Sequence, residues 1–448
     1  MRPLRFLLLL AAALLPLAAA DPVVFNDDGG WCWYQDERVV IANGRLVIGS
    51  VASGRDDPRR RGNIEVVSYD IASGALHRFT LHEGLDEKDR RQWYDDHNVP
   101  AFLSTASGHL LAIYAKHGPE EKIYLRRSER PGDATAWNPA QIFVPSEKSR
   151  VTYSNAFRLS AEKGRIYNFF RGLDNSFKPS WMTSDDDGRT WTTGGIAINV
   201  PSEFRHRPYV KYASNGRDTI HLAYTEGHPR DFDNSIYHAY YQGGQLRRSD
   251  GTVISSLKEG MPRPEDGTRV FAGGPDRVAW ISDLHLDSRG QPYLAYSVQM
   301  NDAGKKPGHC GQDHRYRFAR WDGKRWQDSE VAFAGTCIYP REDDYTGLIT
   351  LDPHDPRTLY ISTNADPVTG APLISQADGQ RHWEIFRGVT RDFRKWTWTA
   401  VTNNSTADNL RPIVPEWPGK RRALLWLQGK MRTYTDFDFR VVGLIEPR

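Results

Sequence analysis

The sequence predicts an all-β fold, a single-domain seven-bladed β-propeller of four-stranded antiparallel blades, and three observations lead there. Aromatic residues make up 12% of the 448 residues and glycine and proline number 38 and 27, a composition of packed strands and turns. No long stretch repeats its apolar residues with the period of a helix. A hairpin of one design recurs along the chain, and a repeat of several tens of residues is the mark of a propeller or solenoid.

Each copy of the hairpin is an apolar strand, a turn with Gly, Asp or Asn and a basic residue, and a second apolar strand. The copies are ERVVIANGRLVIGSV from Glu37, VPAFLSTASGHLLAIYA from Val99, SNAFRLSAEKGRIYNFF from Ser154 and PYVKYASNGRDTIHLAYT from Pro208. DLHLDSRGQPYLAYS from Asp283, GLITLDPHDPRTLYIST from Gly347 and RPIVPEWPGKRRALLWL from Arg411 complete the set. After most copies come two outer strands joined by a polar turn ending in tryptophan. One of these turns, Ser184, Asp186, Gly188, Thr190 and Trp191, resembles the Asp-box of sialidase-type propeller blades. Seven such blades of about 60 residues account for nearly all of residues 21–448. The strand from Phe439 to Ile445 is expected to complete the first blade and close the ring.

Residues 1–20 read as a signal peptide: Arg2 and Arg5, an apolar run from Phe6 through Leu17, then Ala18, Ala19 and Ala20. The chain is therefore expected to be exported, to the periplasm or the medium. No later stretch offers the roughly 20 apolar residues of a membrane helix. Arg2 and Arg5 are the charged residues of the leader, so its removal lowers the formal charge of +3 by two. Such a balance gives no reason to expect nucleic acid or an anionic membrane as partner. A monomer is expected.

In a propeller the innermost strands line the axis, so polar residues at matching positions converge on one rim. Counting eleven places back from the turn glycines Gly44, Gly108, Gly164 and Gly216 gives Trp33, His97, Tyr153 and Arg205. The returning strand ends at the same rim with His117, Arg171 and His228. His97, His117, Tyr153 and Arg171 are the candidate catalytic set; Arg205, Arg207, Tyr209 and His228 are candidate substrate contacts. Asp95 and Asp96 stand beside His97, placed to orient its ring, to hold a cation or simply to solvate a loop.

DDHNVPAF, LLAIYAKHG, TYSNAF, IYNFFRG, RPYVKY and TEGHP together resemble the BNR-repeat propellers and, among them, the ulvan lyases of polysaccharide lyase families 24 and 25. The resemblance implies that His97 and His117 match a catalytic histidine pair, Tyr153 a catalytic tyrosine, Arg171 the arginine that neutralises the substrate carboxylate, and Tyr209 a substrate contact. It implies an acidic polysaccharide as partner. The same broad family includes α-L-rhamnosidases.

The residue types suit β-elimination at a uronate. The C5 proton is weakly acidic until the adjacent carboxylate is neutralised, and a guanidinium does this in a bidentate, permanently charged way. A base then removes the proton and an acid protonates the leaving O4, work for His97 and Tyr153, the tyrosine's pKa lowered by arginine, with His117 completing the set or binding the sugar. Most glycoside hydrolases instead need a carboxylate pair flanking the bond, which the aligned positions lack. A histidine-dependent rhamnosidase and a non-catalytic acidic-glycan-binding propeller stand as the alternatives.

Three cysteines are too few for a disulfide framework. Cys310, His314 and Cys337, with His285 or His309, form a reasonable structural zinc set, which the family resemblance also suggests; the competing reading is a Cys310–Cys337 disulfide. Cys32 reads as a packed free thiol. No organic cofactor is expected.

Overall fold

The computed structural model describes residues 21–84, 94–200, 206–306 and 308–448. The signal peptide and Arg205 lie outside these residues. Seven antiparallel sheets follow one another along the chain, and the recurring hairpins are the two inner strands of each. Blade 1 comprises Val39–Ala42, Arg45–Val51, Ile64–Asp70 and Leu76–His82, and blade 2 starts with Ala101–Ser104 and Leu110–Tyr114. Blade 3 starts with Thr152–Leu159 and Arg165–Arg171, blade 4 with Val210–Ser214 and Thr219–Tyr224, and blade 5 with Arg277–Leu286 and Pro292–Met300. Ile349–Leu351 and Thr358–Thr363 open blade 6; Asp408–Ile413 and Arg421–Thr433 open blade 7.

Why these segments read as unbroken apolar runs follows from the packing. Each sheet is covered by a neighbour on both faces, so alternation is lost. All five residues of Leu110–Tyr114 are buried, as are six of seven in Arg45–Val51. The turns between inner strands need left-handed backbone: Gly44, Gly108, Gly164 and Gly216 have φ of 73°, 80°, 81° and 66°. In the Asp-box, Gly188 N donates to Ser184 Oγ at 2.9 Å and Thr190 N to Asp186 Oδ1 at 2.8 Å, which swings Trp191 into the apolar layer between blades 2 and 3.

Blade 4 is enlarged: its third strand, Ile236–Gln242, pairs with both Gln245–Arg247 and Thr268–Phe271, giving a six-stranded sheet. Ring closure runs opposite to the sequence expectation. Asp436–Pro447 is the third strand of blade 7, and the N-terminal Val23–Asn26 adds to it as the fourth, with Val23 opposite Gly443. The N-terminal strand thus completes the last blade, and the C-terminal strand does not complete the first. Phe25 anchors it, almost fully buried and edge-on to Tyr69 of blade 1 at 5.0 Å.

Candidate active site

At the rim opposite the glycine turns, Asp95 caps a short 3-10 turn, Asp96–Asn98, by accepting from His97 N at 2.9 Å. The same carboxylate meets His97 Nδ1 at 2.7 Å through Oδ1 and His117 Nδ1 at 3.0 Å through Oδ2. Bridged in this way, the two imidazoles stack with centroids 3.9 Å apart and planes 9° from parallel. Asp96 also faces His97 Nδ1 at 2.7 Å, and its other oxygen accepts from the buried Arg411 at 2.5 Å.

Tyr153 reaches the site because its strand bulges. The register of blade 3 slips between Thr152 and Asn155, and Tyr153 takes a left-handed φ of 62°. A bulge re-aims a side chain, here towards the axis; a non-glycine residue held at such a φ costs about 1–3 kcal/mol and is typical of functional sites. Arg411 stands at a similar bulge in blade 7, with φ 53°.

Arg171, at the end of its strand, donates from Nη2 to His117 Nε2 at 3.3 Å. Its guanidinium carbon lies 4.7 Å from the Tyr153 ring centre and 5.3 Å from that of Tyr209, within cation–π range. Its Nε and Nη1 are buried without a hydrogen-bond partner among the described residues. Tyr209 packs edge-on against His228 at 5.5 Å, and His228 Nε2 faces Glu342 at 3.5 Å. Burial lowers the pKa of His228 against the pull of Glu342, and Arg230 and Arg207 add to the lowering.

The two stacked histidines are in different charge states. Burial opposes a charge on His97, but Cys32, Asp95, Tyr153 and Asp96 around it raise its pKa well above the ordinary histidine value. His117 is pushed down to about 4, first by burial and then by charged His97, with Arg171 adding to this against the pull of Asp95. His117 is therefore neutral, with its proton on Nδ1 towards Asp95 and its lone pair on Nε2 towards Arg171. Tyr153 moves opposite to the expectation: burial raises its pKa well above 10 and outweighs the lowering by Arg171. In the resting site the phenol is a proton donor.

A family model described as BNR repeat-containing family member matches residues 32–334. The chain belongs to the BNR repeat-containing family. No curated protein matches it. Among solved structures, this BNR-repeat chain is similar to a PL25 ulvan lyase bound to -[GlcA(1-4)Rha3S]-, with TM-score 0.66 and 15% identity over 94% of this chain and 95% of the other. A second structure of a PL25 ulvan lyase aligns with TM-score 0.67 and 16% identity over the same shares. The polysaccharide lyase Uly1 follows with TM-score 0.57 and 12% identity, covering 97% and 93%.

The structure corrects the zinc set. Cys310 and Cys337 are joined in a disulfide with Cα atoms 5.3 Å apart, so neither is available as a thiolate ligand. His285 also lies elsewhere. It pairs with Tyr293, whereas His314 pairs with Gln299 six residues along the same strand, roughly 20 Å at strand rise. His285 faces Asp283 at 3.5 Å instead, and that carboxylate overcomes burial and raises its pKa to about 9. The four residues therefore do not fit a single zinc ion here. Cys32 is free and buried, close to Asp96 and His97.

Beyond Trp33, which the turn-glycine register places at the rim, the sequence did not reveal the aromatic floor or one wall. Trp33 and Tyr34 both donate to Ile281 O, at 3.2 and 3.1 Å, and pack with Trp280 and Tyr345 beneath the site. Tyr434 stands edge-on to His97 at 5.2 Å and to His117 at 5.7 Å. Trp33 had a signal in the turn-glycine register; Tyr434, in the turn of the closing hairpin, had none.

Proposed function

We propose that this BNR-repeat protein is a polysaccharide lyase that cleaves a rhamnose- and uronate-containing, ulvan-like glycan by β-elimination and leaves a 4,5-unsaturated uronate end. The observation that carries this reading is Arg171: a buried guanidinium whose Nε and Nη1 have no hydrogen-bond partner among the described residues, in contact with a neutral imidazole and a protonated phenol. A guanidinium with donors to spare binds a carboxylate by charge-assisted hydrogen bonds and stabilises the dianionic enolate more than the ground state.

The proton steps follow from the charge states. With the uronate carboxylate on Arg171, C5 lies beside His117 Nε2, whose lone pair takes the C5 proton. The carboxylate also offsets the guanidinium charge that depresses His117, which strengthens the base once substrate is bound. The C5–H electron pair becomes the C4–C5 double bond, the C4–O4 bond breaks, and Tyr153 gives its proton to O4. His97 is the charged partner that holds Asp95 and the stack in place. This moves the base from His97 to His117.

A hydrolytic role fits less well. The carboxylates at the centre of the site are committed, Asp95 to both histidines, Asp96 to Arg411, and Glu342 to Arg230 and His228. Arg207, Tyr209 and His228 flank the arginine as substrate contacts in this proposal. The disulfide suits an oxidising compartment, and the protein is proposed to act outside the cytoplasm, as a monomer, on an acidic polysaccharide.

Incubation with ulvan, gum arabic and glycosaminoglycans, followed by the ultraviolet absorbance of the unsaturated uronate, tests the reading. Absence of that absorbance on every polymer overturns it. Rhamnose release without an unsaturated product would replace it with the hydrolase, and retention without turnover with a binding module.

A further inference from the structure

Blade 7 carries the longest hairpin among the described residues. Arg421–Thr433 and Asp436–Pro447 run for 13 and 12 residues, and no other described strand exceeds 10. The excess length brings the hairpin tip to the histidine pair. There the tip is fixed from several sides. Asp96 N donates to Tyr434 O at 3.0 Å, Arg432 Nη2 meets Asp436 Oδ1 at 2.8 Å, and Tyr94 Oη donates to Phe437 O at 2.6 Å.

The Tyr434 ring spans the edge of the stack and touches both imidazoles. It is half-buried. Its backbone is anchored by Asp96 N, which holds the ring in place against the stack. A phenol in this position offers one donor and two lone pairs to a hydroxylated ligand, and its ring presents a rigid wall with little conformational freedom to lose.

We propose that Tyr434 is a substrate-contacting residue of this site, its ring walling the histidine pair and its hydroxyl bonding the glycan unit held by Arg171. The proposal rests on the lyase reading of the same site. It makes the closing hairpin part of the binding cleft, on the side away from Tyr153 and Tyr209, so the sugar is gripped between blades 3 and 4 on one side and blade 7 on the other.

Tyr434→Phe and Tyr434→Ala separate the two contributions. Loss of one hydrogen bond to a neutral partner predicts a KM raised roughly three- to tenfold in Tyr434→Phe, with kcat within about twofold of the native protein. Tyr434→Ala also removes the wall and is expected to lower kcat further and to shift the acid limb of the pH profile, a change that Tyr434→Phe does not show. A Tyr434→Phe variant with native KM overturns the proposal. If the native protein cleaves no uronate glycan, the lyase reading fails by itself. Tyr434 is then judged by calorimetric titration with an acidic ulvan oligosaccharide: weaker binding by Tyr434→Phe supports the contact, and an unchanged Kd or no binding to the native protein overturns it. Matching melting temperatures for native and Tyr434→Phe proteins confirm that the comparison reads the site.

Discussion

His97 and His117 stack face to face at 3.9 Å while sharing the two oxygens of Asp95. One carboxylate thus holds a charged imidazole and a neutral one together, and the neutral ring is turned towards Arg171. Replacing Asp95 with Asn leaves a single acceptor oxygen for three N–H donors, two from His97 and one from His117, and removes the charge that favours His97 in its protonated form. Asp95→Asn is expected to lower kcat at least about a hundredfold, with the fold retained by circular dichroism, as measured by formation of the unsaturated uronate.

The acid side of the rate profile should report His117. It is held near 4 by burial, His97 and Arg171, and a base must be unprotonated to act. Lowering the pH through about 4 therefore removes activity, and raising it above that value restores it. The kcat/KM profile, which reads the free enzyme, is expected to stay level from weakly acidic to neutral pH; an acid limb near 6.5, the unperturbed histidine value, would contradict this assignment.

Arg171→Lys keeps a charge but loses the fork. Lysine is a compact point charge that cannot hold a carboxylate in bidentate fashion, so kcat/KM is expected to fall by roughly two orders of magnitude or more, the scale on which a lost oxyanion donor acts. Tyr153→Phe should likewise abolish turnover while the melting temperature changes little, because the ring contact with Arg171 remains.

The Cys310–Cys337 bridge predicts one reactive thiol per unfolded, unreduced chain, that of Cys32, and three after reduction. Closing a loop of 27 residues stabilises a fold by about 3–4 kcal/mol in the chain-entropy account. A lower melting temperature is therefore expected for Cys310→Ser or in dithiothreitol. Three reactive thiols without reductant, accompanied by bound zinc, would refute the bridge.

Phe25→Ala tests ring closure. The side chain is 2% exposed, and truncating a buried phenylalanine costs about 3–5 kcal/mol. Unfolding in urea should show that loss, with the midpoint displaced and the slope little changed.

Much of this molecule was legible in the chain. The seven inner hairpins could be counted because sheets packed on both faces leave long apolar runs and because six of their turns hold a glycine at positive φ. Four of these glycines supplied a register that brought His97 and Tyr153 to one rim, and the returning strands ended there with His117 and Arg171. What stayed hidden depends on contacts between distant segments. The sense of closure rests on Val23 meeting Gly443, for which no local pattern exists. The pairing of Cys310 with Cys337 rests on their approach across a blade, and His285 was misplaced because its height in the sheet, not its blade, decides its neighbours. The protonation of Tyr153 rests on burial, which a linear spacing does not reveal.

The N-terminal strand lies in the same sheet as the hairpin that carries Tyr434. Six blades can settle as the chain emerges, but the seventh needs both ends together, a contact of nearly the greatest sequence separation the chain allows and hence among the slowest to form. The tip of that sheet also stands against the histidine pair, so the last blade to be completed is one that borders the site. In the proposed reading, a chain whose Val23–Asn26 strand has not yet joined Asp436–Pro447 has the histidine pair and Arg171 in place but lacks the fourth strand behind the hairpin that carries Tyr434.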